Sequence, residues 1–349
     1  MKLTFRQMDL QLVHTWTIAR ASGTDVFNAV LVELTAADGT VGRGEAAPTT
    51  RYRETVESVQ AFLRKVDPRG LSFSDVPGSM EYLETVSPGD ASAKCALNLA
   101  LLDGAAKRAR QPLYDYLGLG FRERHHITSF TIGIDKPEVI RRKVQEAEAY
   151  PVLKMKVGVP DDKANMAALR EVAPAKPVRV DANEGWKTRE QALEMIQWLA
   201  ADGHIQFVEQ PMPASTPVKD WVWLKERSPL PIFGDESYHT AKDIETAAEC
   251  FHGINVKLVK SGGVSGGFDA LKAARKAGLK TMIGCMIESS ILISAAAHLA
   301  ELCDYLDIDG NLLIRNDPFR GVTADKGVLS FASAPEKFGL RVSPREKAA

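Results

Sequence analysis

Leu153-Lys154-Met155-Lys156-Val157 is a run of strand length in which two lysines interrupt an otherwise apolar pattern. Similar runs follow at intervals of about 25 residues: Arg179-Val180-Asp181-Ala182-Asn183, Phe207-Val208-Glu209-Gln210-Pro211, Phe233-Gly234-Asp235-Glu236-Ser237 and Asn255-Val256-Lys257-Leu258-Val259-Lys260. Each gains a charge at its C-terminal end, and a longer amphipathic stretch separates it from the next. Short apolar runs alternating with helical patterns mark βα units on a parallel sheet. Working outward, Ile127–Thr131, Val152–Val157, Val178–Asp181, Ile205–Glu209, Ile232–Asp235, Ile254–Leu258, Thr281–Gly284 and Tyr305–Ile308 read as strands. Eight such units predict an α/β chain folded as a closed (β/α)8 barrel. An open doubly wound sheet would carry a Gly-rich dinucleotide turn after its first strand, and Phe130-Thr131-Ile132-Gly133-Ile134-Asp135 is not one.

Ahead of the barrel, Lys2 to Ala19 and Val26 to Pro48 alternate as strands do, and Ala37-Asp38-Gly39 supplies a turn. From Arg51 to about Gly118 the spacing becomes helical, as in Val56, Val59, Phe62 and Leu63. Residues 1–125 are therefore expected to form an N-terminal α+β capping domain, a small antiparallel sheet with helices packed on it. Residues 126–310 form the barrel domain. Residues 311–349 show no further βα repeat and are expected to return to the capping domain, ending in a polar tail from about Pro344.

The 349 residues carry 44 Lys plus Arg against 45 Asp plus Glu. That balance excludes the basic surface of a nucleic-acid binder. Met1 to Gln11 has no apolar signal core, and no apolar run reaches the roughly 18 residues of a membrane span. Cys95, Cys250, Cys285 and Cys303 form no C-x-x-C pair, so reduced thiols and a cytoplasmic location are expected. A homo-oligomer is expected as well.

Barrel strands bury both faces, so charges at their C-terminal ends face the mouth where barrel enzymes place their chemistry. Any one of Asp181, Glu209 and Asp235 could be a helix cap or a solvated loop residue. Three from consecutive strand ends converge, and like charges so placed resist joint ionisation unless a cation lies between them. An all-oxygen set favours a hard ion, and Mg2+ is expected. Lys154 and Lys156, two apart, point to one side of their strand, and neighbouring ammonium groups should lower one another's pKa. The second and sixth strands of an eight-stranded ring are opposite, so Lys156 and Lys257 should face each other across the mouth. Lys260, three beyond Lys257, should point elsewhere and be structural or peripheral.

Asp307 and Asp309 end the eighth strand on one side, where a cationic part of a substrate could be held. Cys285 has no His at a neighbouring strand end to activate it and reads as a packed thiol. Ser261-Gly262-Gly263-Val264-Ser265-Gly266-Gly267 could cradle an anion, but reads first as a tight βα turn.

The sequence K-x-K, then Asp, Glu and Asp at successive strand ends, then Lys, resembles the muconate lactonizing subgroup of the enolase superfamily over essentially the whole chain. The resemblance implies a modified TIM barrel with a capping domain. It implies Mg2+ on Asp181, Glu209 and Asp235, acid/base roles for Lys156 and Lys257, and a stabilising role for Lys154. A Lys base working with Mg2+ on an ene-diolate is an established pattern for the superfamily. Asp307-Ile308-Asp309 followed by Gly310-Asn311-Leu312-Leu313 is similar to the segment by which dipeptide epimerases hold the substrate ammonium. Ile18-Ala19-Arg20 resembles the arginine-bearing loop of L-Ala-D/L-Glu epimerases, and Thr131, Gly133, Met286 and Glu288 lie where such epimerases have similar residues. Substrate contacts from Arg20, Thr131, Met286 and Glu288 are implied. Cys285 in place of Ser, and Thr15-Trp16-Thr17 in place of Lys-Pro-Phe, depart from that pattern, so the part of the pocket that reads the side chain should differ.

The expected activity is epimerisation of the C-terminal residue of an L-Ala-Xaa dipeptide, with L-Ala-D/L-Glu as one candidate. A muconate cycloisomerase or o-succinylbenzoate synthase type of lyase would share the lysines and the metal, but would not need the acid pair. A barrel that binds a small molecule without catalysis would not need all six converging charges.

Overall fold

The computed structural model describes residues 1–346, the side chain of Ser22 excepted. Alternating residues at the start of the chain form an antiparallel sheet of β1 Lys2–Ile18, β2 Ala21–Thr35 and β3 Val41–Ala46. The turn expected at Ala37-Asp38-Gly39 joins β2 to β3, with Gly39 at φ +83° and its N–H on Ala36 O at 3.0 Å. Met8, Leu10, Leu12, Val30, Val32 and Leu34 are buried. Against this sheet pack α1 Val56–Lys65 and α3 Ala91–Arg108, α2 Val76–Val86 packs on α3, and the short α4 Leu113–Tyr116 follows. A capping box of Thr55 and Ser58 starts α1, which buries Val56, Val59, Phe62 and Leu63 at helical spacing. Helix α3 lies directly on β3 because Gly42 and Gly44 have no side chains. A Cβ on either would collide with the carbonyl oxygen of Ala100 or Ala96.

The second half alternates strand and helix throughout. Its strands are β4 Phe130–Ile132, β5 Leu153–Lys156, β6 Val178–Asp181, β7 Ile205–Glu209, β8 Ile232–Gly234, β9 Gly253–Lys257, β10 Lys280–Gly284 and β11 Tyr305–Asp307. Between them run α5 Pro137–Glu146, α6 Asp162–Val172, α7 Arg189–Ala200, α8 Val218–Arg227, α9 Ile244–Cys250, α10 Val264–Lys276 and α11 Ser290–Ala297. The strands pair in parallel and in sequence order from β4 to β11. The ring closes through a parallel bridge of Thr128 to Leu306, with Ser129 N–H donating to Leu306 O at 3.1 Å. That order rules out the doubly wound alternative. The first strand lies later than expected, because Ile127 bridges antiparallel to Val328 and regular pairing begins only at Phe130.

After β11 the chain bonds to residues of the first 118. Leu113 N–H donates to Gly339 O at 2.9 Å, and Leu340 N–H to the buried Asp103 carboxylate at 2.8 Å. Of the polar tail expected from Pro344, residues 347–349 lie outside the described residues. The β1–β2 hairpin is joined to the barrel mouth by Val13 N–H on Leu313 O at 2.9 Å and Ile134 N–H on Thr17 O at 3.0 Å. Between Gln11 and Trp16 its pairing register slips, and the ribbon beyond bends over the mouth.

The two domains also meet through a buried acid. Glu45 of β3 accepts Ser289 N–H at 2.9 Å and the Ser289 hydroxyl. Burial pushes its carboxyl up to about 7, and the charge of Asp317 adds to that, against the pull of the Ser289 donors. A raised acid favours folding while it can stay protonated, so its contribution is complete below about pH 4.5 and is lost as pH rises through about 7. The melting temperature of Glu45→Gln relative to the native chain should therefore climb between pH 5 and pH 8. A difference that stays flat over that range would show that Glu45 does not titrate there.

Candidate active site

Strand register brings the charges to one level of the barrel mouth. Lys156 pairs with Asp181 and Asp181 with Glu209, while Gly284 stands level with both Lys257 and Asp307. Asp235 follows β8 directly. One oxygen from each of Asp181, Glu209 and Asp235 lies within 4.8 Å of the others, and all three residues are buried.

Lysines interleave with these acids. Lys154 Nζ lies 3.0 Å from Asp181, 2.7 Å from Glu209 and 2.6 Å from Asp307. Lys156 Nζ is 2.7 Å from Asp181, and Lys257 Nζ 2.8 Å from Asp235. Burial works against ionisation of Asp181, but Lys154 and Lys156 hold its carboxyl below the usual range. Lys257 and Lys260 do the same for Asp235. Glu209 is pushed the other way, up to about 8, by burial and by the Asp181 charge. Asn255 donates to its Oε1 at 2.8 Å, whereas its Oε2 has no partner in hydrogen-bond geometry despite the nearby Lys154 ammonium, which is shared among three acids. A buried carboxylate oxygen held only by a shared ammonium, in an all-oxygen cluster, is the donor set a hard divalent cation takes, and these residues fit Mg2+.

Above the cluster is a cavity of about 390 Å3 lined by Lys154, Lys156 and Lys257. Asp307, Asp309 and Thr131 form one wall, and Trp16, Ile18, Arg20, Phe27 and Arg51 close it from the capping domain. Ser129 Oγ donates to Asp307 at 2.7 Å and Thr131 N–H to Asp309 at 2.6 Å, which fixes both carboxylates. Asp309 is pushed up to about 7 by burial and by the Asp307 charge.

Both halves of the chain match known families. Residues 8–118 match the mandelate racemase / muconate lactonizing enzyme N-terminal domain, and residues 139–348 the enolase C-terminal domain-like family. The chain belongs to the enolase superfamily. It is 66% identical over 344 residues to an L-Ala-D/L-amino acid epimerase of Pedosphaera parvula, covering 98% of this chain and 99% of that one. An L-Ala-D/L-Glu epimerase of Bacteroides thetaiotaomicron is 40% identical over 96% of this chain and 86% of its own. Among solved structures, the substrate-liganded L-Ala-D/L-Glu epimerase from Bacillus subtilis superposes with a TM-score of 0.90 at 28% identity, over 97% of both chains. A dipeptide epimerase from Enterococcus faecalis, complexed with Mg and L-Leu-L-Tyr, gives 0.89 at 30% identity over 98% of this chain and 99% of that one.

In this member of the superfamily some expectations need correction. Lys154 was expected to have a lowered pKa, and it is held the other way. Burial works against the Lys154 ammonium, but Asp181, Asp307 and Glu209 together hold it well above the usual lysine value, and Asp235 does the same for Lys257. Lys260, read as structural or peripheral, is structural in its contacts, though it does not point away from the acids. Strand β9 stops at Lys257, and a turn with Lys260 N–H on Lys257 O at 2.9 Å swings the side chain back to Asp235 at 2.6 Å. Glu288 is not among the residues lining the cavity. It is buried and accepts Met286 N–H at 2.9 Å, so it positions the loop whose Met286 does line the cavity. Cys285 also lines the cavity, and burial raises its thiol well above the usual range, in keeping with a packed thiol. The glycine-rich run after β9 is a tight turn whose helix end meets the cap, because Asn98 accepts Ser265 N–H at 3.1 Å and donates to its hydroxyl at 2.8 Å.

Sequence reasoning passed over Arg51, Glu184 and Glu236, whereas Trp16 belongs to the stretch it assigned to the side-chain pocket. Arg51 and Trp16 line the cavity, while Arg20 reaches past its wall to Glu236 at 2.6 Å and to Glu184 at 3.5 Å. Glu236 adjoins Asp235, the one signal that could have found it.

Proposed function

We propose that the chain is a Mg2+-dependent dipeptide epimerase that inverts the α-carbon of the C-terminal residue in an L-Ala-Xaa type dipeptide. The observation that carries this reading is that Lys156 and Lys257 line one cavity from strands β5 and β9, four places apart in an eight-stranded ring, above the Asp181, Glu209 and Asp235 cluster. When bound at those three carboxylates, Mg2+ would stabilise the negative charge that develops on the substrate carboxylate and offset the acids that now hold the lysines. One of Lys156 and Lys257, as the free amine, takes the α-proton. The other, as the ammonium, delivers a proton to the opposite face. Lys154 adds positive charge beside the developing enolate. Asp307 and Asp309, fixed by Ser129 and Thr131, accept the free α-ammonium, a group the lyase substrates do not carry. Free thiols at all four cysteines accord with a cytoplasmic enzyme, and a dipeptide substrate would place it in peptide metabolism.

Incubation of L-Ala-L-Xaa dipeptides in D2O with Mg2+ tests the assignment. Deuterium should enter the α-position of the C-terminal residue with appearance of the L,D epimer, and N-acetylation of the dipeptide should suppress both. Exchange that tolerates the acetyl group would argue against the role of Asp307 and Asp309. No exchange with any dipeptide would defeat the assignment.

A further inference from the structure

We propose that Glu236 sets the charge preference for the substrate side chain and that Arg20 covers it, an inference that rests on the dipeptide-epimerase reading above. Three of the four substituents on the reacting carbon have assigned surroundings there. The ammonium-bearing arm extends to Asp307 and Asp309, the carboxylate to the acid cluster, and the proton to a lysine. The side chain is left the wall built by the hairpin tip and its neighbours, including Ile18, Arg20, Phe27 and Arg51.

That wall has no net charge. Arg51 is spent on Glu184 through two bonds of 2.7 Å, and Ala214 N–H donates to the same carboxylate at 2.8 Å. Arg20 Nη1 lies 2.6 Å from Glu236 Oε1, and its other contacts are Asn183 O at 3.3 Å and Glu184 at 3.5 Å. Glu236 has a side chain with no exposure, and neither of its oxygens has a hydrogen bond in good geometry among the described residues. Arg20 is 30% exposed and lines the cavity, whereas Glu236 lies behind it.

An acidic substrate side chain that recruited Arg20 would strip a buried carboxylate of its close counter-charge, which is strongly unfavourable. A cationic side chain meets Arg20 first and is repelled. Neutral side chains disturb nothing, so they are the preferred class. Removing the arginine exposes Glu236 to the substrate and turns the wall negative.

The test compares kcat/KM for L-Ala-L-Lys, L-Ala-L-Glu and L-Ala-L-Leu, with saturating Mg2+, in the native chain, Arg20→Met and Arg20→Met/Glu236→Gln. The native chain should favour the leucine dipeptide over both charged ones. In Arg20→Met the lysine-to-glutamate ratio should rise about tenfold or more, and in the double variant it should fall back. If the double variant melts early, Arg20→Met/Glu236→Asp replaces it, with the carboxylate drawn back and an intermediate ratio expected. A ratio that rises equally with and without the Glu236 substitution, or a native preference for the glutamate dipeptide, overturns the proposal. Turnover of the leucine dipeptide with an unmoved ratio defeats only this inference, whereas no turnover of any of the three by the native chain defeats the epimerase reading and this inference with it.

Discussion

Lys257→Ala should stop interconversion of the two epimers while leaving α-proton exchange with D2O for one of them. With an acid/base group on each face of the carbon, loss of one leaves the other free to remove and return its own proton, so exchange without inversion survives for the epimer whose proton it faces. Lys156→Ala should show the same behaviour for the opposite epimer. Epimerisation should fall by about 10²- to 10⁴-fold, the contribution of a positioned acid or base. The fold should tolerate the Lys257 change, because Lys260 stays on Asp235 at 2.6 Å and leaves no buried carboxylate unpaired. Proton NMR in D2O, read beside chiral separation of the dipeptides, distinguishes exchange from inversion. Native rates of epimerisation in either lysine variant would remove the two-base mechanism.

Glu209→Gln should abolish Mg2+ binding measured by calorimetry and lower epimerisation by about 10³-fold or more, since a divalent ion supplies several kcal/mol of charge stabilisation in such reactions. Its effect on metal-free stability should be small. Burial and Asp181 already favour the protonated Glu209 carboxyl up to about pH 8, Asn255 still finds an acceptor, and Lys154 keeps Asp181 and Asp307. The substitution therefore separates metal affinity from folding. Undiminished Mg2+ affinity in the variant would exclude Glu209 as a ligand, and a native chain that takes up no Mg2+ would exclude the ion from this site.

Much of this was legible in the sequence because a closed parallel barrel turns linear order into spatial order. Once β5 to β9 are counted, the ends of their runs must lie round one mouth, and Lys154, Lys156, Asp181, Glu209, Asp235 and Lys257 are where that counting puts them. Counting fails where the backbone leaves the strand. The direction of Lys260 was misread because alternation was carried past Lys257 into a turn. Glu236 and Glu184 were passed over because they lie beyond β8 and β6, and Glu184 has φ +67°, a conformation no alternation rule describes. Arg179 lies inside the barrel, held by Leu306 O at 2.5 Å and the Tyr305 ring at 5.0 Å, although an arginine in a strand suggests an outward face. The Lys154 pKa direction was missed for another reason. Spacing reveals neighbours along the chain, whereas Asp307, which bonds Lys154, is 153 residues away.

The slipped pairing between Gln11 and Trp16 divides one ribbon into two jobs. Below it, Met8, Leu10 and Leu12 belong to the interior and tolerate little change. Past it, Trp16, Ile18 and Arg20 belong to the chamber in which the reaction is set. A lineage can therefore redraw which guests the chamber admits by editing a few residues at the ribbon's far end, with the proton-moving apparatus, carried on other strands, left intact.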